Sequence, residues 1–211
     1  MAAETGLRER KKQQTRQQIF EAAHRLFSER SFDSVTVADV ARAADVSEVT
    51  VFNYYPNKED LFFAGMQFFE EHLLEAVRTR PRGEPAIKAL RRRLLDSVEN
   101  LREPSRIRAV LKAAEVMSSS PSLAAREHEI VDRYTRLLAQ LLAEKTGVAE
   151  DVEAMAAAAA MIGAHRAVVD HVRKRVQAGD RGTSLVDDTR AQIRRAFSRL
   201  EKGLGTYSVR A

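Results

Sequence analysis

Catalysis needs groups that take a proton, hold a metal or attack a carbon, and this sequence places few of them in workable spacing. There is no cysteine among the 211 residues, so thiolate nucleophiles, thiolate metal sites and disulfides are all excluded. The five histidines are His24, His72, His128, His165 and His171. None sits in a His-Glu-x-x-His run or any other metal-ligand spacing. His165 and His171 are six apart on one helical stretch and so do not share a face. Glu127-His128-Glu129 is locally polar and reads as solvated surface. No strand pattern precedes a glycine-rich loop. Neither an enzyme nor a bound metal or organic cofactor is expected.

The side chains are better suited to recognition. Asn53 can pair bidentately with adenine, the Thr50 methyl can touch thymine, and Glu48 can accept from a cytosine amino group. Thr36, Ser47 and Lys58 stand at helix starts, where free N–H groups and the positive dipole end attract phosphate. The same hydroxyls also cap helices, and the two roles are compatible.

These residues fall within one stretch, FDSVTVADVARAADVSEVTVFNYYPNKEDL, residues 32–61. Thr36 caps a short helix, with Asp39 three residues on as in a capping box. Val37, Val40 and Ala41 follow at helical spacing. The pattern breaks at Ala44-Asp45-Val46, where Asp45 tolerates a left-handed conformation. Ser47 caps a second short helix, expected to turn Val51 and Phe52 inward. Pro56 ends it, and Asn57 caps a longer helix. Two short helices joined by a tight turn form the helix-turn-helix pattern, whose second helix enters a major groove.

The letters TVADVARAADVSEVTVFNYYPNKEDL resemble the DNA-binding signature of the TetR family of bacterial transcriptional regulators. The matching features are Thr36, the Val46-Ser47 turn, the aromatic run Phe52 to Tyr55, and Pro56-Asn57-Lys58-Glu59-Asp60-Leu61. The sequence departs from the family pattern at Asp45 and Val49, where glycine is usual, and at Glu48, often basic. The resemblance implies backbone contacts from Tyr54 and Lys58. With Arg16 of the N-terminal arm, Val37 beside the first cap, and Val49 on the second helix, the expected DNA-contacting set is complete. It implies double-stranded operator DNA as partner and a homodimer, most readily a repressor released by a small molecule. An activator, or an all-helical protein-interaction module, is the alternative.

Composition agrees with an all-α protein: alanine-rich, with nine glycines, five prolines and no alternating strand pattern. No stretch looks like a membrane span and the first residues lack a signal peptide's apolar core, which points to the cytoplasm. The net charge is +5, but its location is unexpected. Residues 1–60 hold nine basic and ten acidic residues, and residues 81–211 hold 24 and 17. Within the first region the basic excess lies in the arm: Arg8, Arg10, Lys11, Lys12 and Arg16.

The expected organisation is a helix-turn-helix domain over 1–57, with a disordered arm at 1–6, and a ligand-binding and dimerisation domain over 58–211. A helix from Leu7 to Ser28, with Ile19, Ala22, Ala23, Leu26 and Phe27 as its apolar stripe, packs across the two short helices. A connector runs from Lys58 to about Thr79. Further helices are expected near 85–101, 105–118, 122–145, 151–178 and 185–202, about nine in all, with Gly147 as a C-cap. The last two carry a run of small residues, MAAAAAM at 155–161, and an apolar stripe that suit a four-helix dimer interface. An effector site is expected among Phe62, Met66, Phe69, Leu90, Leu94, Val110, Met117 and Tyr134. The segment SSSPSLAAREHEIVDRYTRLLAQLLAE loosely resembles TetR-type regulators that bind acyl-CoA-like ligands. Arginines 91–93, 102, 106, 108, 126, 133 and 136 could rim a lipophilic, anionic ligand, or could simply face water with acidic partners.

Overall fold

The computed structural model describes residues 2–144 and 152–204, with the side chains of 2–8 and 66–70 left aside. Within them the chain is all-α, with nine α-helices and two 3-10 turns. The helices are α1 (Ala2–Glu29), α2 (Val37–Ala43), α3 (Glu48–Tyr54), α4 (Lys58–Arg78), α5 (Ala86–Val98), α6 (Pro104–Ser119), α7 (Pro121–Ala143), α8 (Val152–Gln177) and α9 (Gly182–Leu204). Prolines open α6 and α7, where a missing N–H costs nothing. The expected cap at Gly147 and the end of α7 near Lys145 lie outside the described residues.

The chain divides into two compact units, and the division falls inside α4. Residues 1–68 and 119–123 form one, residues 69–118 and 124–211 the other. The first unit thus takes in the first half of α4 together with the helix-turn-helix segment. Aromatic packing is the reason. Leu61, Phe62 and Phe63 of α4 are buried with Phe27 and Phe32, and ring centroids lie 5.0 Å apart for Phe27–Phe32, 6.0 Å for Phe32–Phe62 and 5.2 Å for Phe62–Phe63. Such tilted and edge-on pairs add to the burial energy itself. α1 also begins earlier than expected, at Ala2, so residues 2–6 are helical rather than an irregular arm. Ala2, Ala3 and Glu4 are strong helix formers, and only Thr5 and Gly6 oppose them.

The second unit is organised on α5, α8 and α9. Leu90, Leu94, Met161, Leu185, Ile193 and Phe197 are central to its core. Buried charge adds specific ties. Glu127 of α7 accepts from Arg173 of α8 at 2.7 Å, with Arg166 at 3.6 Å. His171 of α8 meets Asp188 of α9 at 2.7 Å. α8 is long and apolar enough to cross a membrane by length and composition alone, which for one such helix is a weak signal. Its alanine run produces that signal, and the helix is packed against α9 and α5.

Candidate nucleic-acid interface

The α2–α3 pair is built by local chemistry. Thr36 Oγ1 accepts from the Asp39 N–H at 3.1 Å, while the Thr36 N–H donates to Asp39 Oδ2 at 3.0 Å. This reciprocal capping box satisfies two orphan donors of α2. The Thr36 N–H bond, and after it the Thr36 hydroxyl donating to Asp39 Oδ2 at 2.8 Å, hold the Asp39 carboxyl below the usual carboxylate range. After Ala43 the chain reverses at Asp45, whose φ is 52°. This is the left-handed position anticipated from the sequence, occupied by a residue whose short polar side chain tolerates it. Ser47 then caps α3: its Oγ accepts from the Thr50 N–H at 3.1 Å.

α3 has only seven residues and two clear sides. Its inner side is Val51, joined one turn on by the C-cap residue Tyr55, at 0% and 3% exposure. The Tyr55 hydroxyl donates to the Arg16 carbonyl at 3.3 Å and ties α3 to α1. Glu48, Val49, Phe52 and Asn53 are exposed on the outer side. Thr50 and Tyr54 are half-buried between the two.

One expectation is corrected here. Phe52 was expected inward with Val51, but it is 47% exposed, and Val49 is 69% exposed. Phe52 lies about 100° round the helix from Val51, which turns it away from the side that Val51 buries. Tyr55, four residues after Val51, takes the inner place instead. Phe52 is thus a surface residue of the candidate interface that reasoning from hydrophobicity alone assigned to the core. The signal that could have found it was the i, i+4 spacing of Val51 and Tyr55.

The other expected contacts divide as follows. Asn53 and Glu48 are exposed beside Val49. The Thr50 hydroxyl is engaged with that of Ser47, 2.8 Å away. Val37 is half-buried at the start of α2, and Arg16 is exposed on α1, with its guanidinium 5.7 Å from the Tyr55 ring centroid. Lys58 is more internal than its sequence position suggested. Its Nζ donates to the carbonyls of Phe32 at 3.0 Å and Val35 at 3.1 Å and lies 4.3 Å from the Phe32 ring centroid. Two of its three N–H groups are thereby directed into the protein.

The residues expected at an effector site are divided between the two units. Phe62 belongs to the aromatic cluster of the first. The side chains of Met66 and Phe69 lie outside the described residues. Leu90 and Leu94 are buried in the core of the second unit, with Val110 packed against it. Met117 is half-buried, and Tyr134 is buried beneath the Arg133 guanidinium, 5.3 Å from its ring centroid. Several of the arginines expected to rim a ligand have carboxylate partners instead. Arg91 pairs with Glu201, Arg92 with Glu84, Arg102 with Glu99, Arg126 with Glu129 and Arg136 with Asp132.

A capped helix, a left-handed turn and a second capped helix with its outer face exposed define a helix-turn-helix protein. Residues 19–64 match the family described as bacterial regulatory proteins, tetR family, and residues 84–205 match the MftR C-terminal domain. The chain belongs to the TetR family. It is 33% identical over 85 residues to the HTH-type transcriptional regulator TcmR of Streptomyces glaucescens, covering 40% of this chain and 38% of TcmR. It is 28% identical over 133 residues to the mycofactocin biosynthesis transcriptional regulator MftR of Mycobacterium tuberculosis, covering 59% of this chain and 66% of MftR. The matches thus span less than two thirds of either relative. The fold is also that of NalD, the secondary repressor of the MexAB-OprM multidrug efflux pump in Pseudomonas aeruginosa. There the TM-score is 0.53 at 20% identity, covering 91% of this chain and 98% of NalD. These relatives are transcriptional regulators and not enzymes.

Proposed function

We propose that this protein is a DNA-binding transcriptional regulator that acts as a homodimeric repressor and leaves a pseudo-palindromic operator when a small molecule binds. The observation that carries this reading is the capped α2–α3 pair with the outer face of α3 exposed. In a duplex complex, α3 lies in the major groove and Asn53 and Glu48 reach base edges. Arg16, Tyr54 and the cap regions at Thr36, Val37 and Ser47 lie towards the sugar-phosphate backbone, which positions the protein without specifying sequence. Lys58 contributes mainly by holding Phe32 and Val35 in place beneath that surface.

Two-fold pairing is supported by α8. Val152, Met155, Ala156, Ala159, Gly163 and Ala167 are exposed at helical spacing along one face, and Val152 is 83% exposed. An uncharged stripe of this length on a surface helix suits close approach of a second copy, with α9 completing a four-helix contact. Two recognition helices then meet successive major grooves. The second unit supplies the effector site, with a lipophilic or acyl-CoA-like molecule as the class to test first. Its leverage on DNA binding is limited to its differential affinity for the two conformations. The protein works where the DNA is, in the cytoplasm.

The experiment is selection from random-sequence duplexes by the full-length protein, repeated with Asn53→Ala. Enrichment of an inverted repeat, with relaxed preference at one position per half-site in the variant, supports the reading. Added acyl-CoAs then test release. No enrichment at all would overturn it in favour of a protein-interaction module.

A further inference from the structure

α3 carries an unusual recognition surface. It contains no lysine or arginine in Glu48–Tyr54, so the commonest specific contact to DNA, a cationic fork on the guanine O6 and N7 acceptors, is not available from it. What it presents instead is apolar. Val49 and Phe52 are two of the most exposed large hydrophobic side chains among the described residues. They stand at i and i+3, on one side of the helix, with Cβ atoms about 5–6 Å apart. The inner side of α3 is already filled by Val51 and Tyr55, so no rotation of this seven-residue helix would bury them.

An apolar pair kept in water on the helix that enters a major groove has a chemical counterpart there. The thymine 5-methyl is the apolar group that a base pair offers in that groove, and aliphatic and aromatic side chains pack on it. The spacing of the pair matches bases one to two steps apart along the duplex, where the rise is about 3.4 Å.

We propose that Val49 and Phe52 read thymine methyl groups, making sequence preference at those positions a matter of methyl burial rather than hydrogen bonding. This inference rests on the DNA-binding reading above and specifies how its site discriminates. Glu48, on the same face, accepts from a cytosine amino group, and the face as a whole therefore favours pyrimidine-rich strands.

The test uses the full-length protein and the duplex recovered by selection, with thymines replaced one at a time by deoxyuridine, which removes only the methyl. The expected result is a loss of about fourfold in affinity for each of one or two thymines per half-site, which is what burying one carbon group is worth. At those same sites, 5-methylcytosine should bind about fourfold better than cytosine, because it restores the methyl while keeping the altered hydrogen-bonding edge. The Val49→Ala, Phe52→Ala double variant should bind uridine and thymine duplexes equally, with its hydrogen-exchange protection over residues 32–61 unchanged. Phe52→Leu, which stays apolar, should retain the effect.

Uridine substitution without effect at every thymine, or recovered half-sites with no thymine opposite α3, would overturn the proposal while leaving the DNA-binding reading intact. Failure to recover any duplex would instead remove that reading. A change of oligomeric state in the double variant, without any uridine effect, would assign the face to a second copy of the chain and also overturn the proposal.

Discussion

Lys58 separates two roles that are hard to distinguish by activity alone. Its Nζ lies 3.0 Å from the Phe32 carbonyl and 3.1 Å from the Val35 carbonyl. A hydrogen bond involving a charged group contributes about 1.5–3 kcal/mol. The two bonds share one half-buried ammonium, and the Phe32 carbonyl also accepts from the Val35 N–H at 3.3 Å, so their effects do not simply add. The Phe32 ring contact contributes about 0.5–1 kcal/mol more. Lys58→Met keeps the aliphatic stem and removes the ammonium, and should destabilise the first unit by about 2–4 kcal/mol. With two units in the chain, a single global transition is not a safe readout. Hydrogen exchange over peptides within 32–61 reports the unit directly, and protection should fall by about 30- to 1,000-fold at tenfold per 1.4 kcal/mol. DNA affinity should fall on all duplexes, with no change in the slope of log K against log salt. If Lys58 instead neutralises a phosphate, that slope should shrink by about 0.9. Exchange protection unchanged within about threefold, together with a reduced slope, would refute the structural role.

Three further outcomes follow from other elements. Asp45→Gly should raise stability by about 0.5–1 kcal/mol, because glycine adopts φ 52° without the Cβ penalty, and Asp45→Val should lower it; hydrogen-exchange protection over residues 32–61 in the two variants checks the opposite signs. His165 is held at about 4 by burial, then by the Arg166 and Arg173 cations. The unfolded chain takes up a proton near 6.5 that the folded one refuses. Stability is therefore full above pH 6.5 and falls as pH drops towards 4, by on the order of 3 kcal/mol; urea titrations of His165→Gln should show a flatter profile over that window. Ala159→Glu places a charge on the exposed stripe of α8 and should leave a folded monomer, read by sedimentation equilibrium alongside an unchanged circular dichroism spectrum.

Much of this was legible in the sequence because it depends on local chemistry. Thr36 with Asp39, Ser47, Asp45 and Pro56 each dictate a cap, a turn or a stop within four residues of themselves, and the helices follow them closely. What was hidden depended on contacts distant in sequence or on rotation of a short helix. Lys58 reaches back to Phe32 and Val35, more than twenty residues away. Phe52 faces water because Tyr55 was the better partner for Val51, a choice that hydrophobicity alone does not rank. The first unit takes in the start of α4 because the Phe62 ring meets Phe27 of α1 and Phe32 of the turn that follows it, with Phe63 edge-on to Phe62. The arginines of residues 81–211 could be read as a ligand rim or as solvated charges with acidic partners, and ion pairs such as Arg91–Glu201 place several of them in the second group.

The measurement that bears most directly on the central claim is a fluorescence anisotropy titration of the full-length protein with labelled DNA from upstream of its own gene. Excess unlabelled random duplex is present, and the titration is run at two salt concentrations. The account predicts binding that survives the competitor and weakens as salt rises. Absence of binding at both salts, for this DNA and for sequences recovered by selection, would contradict it.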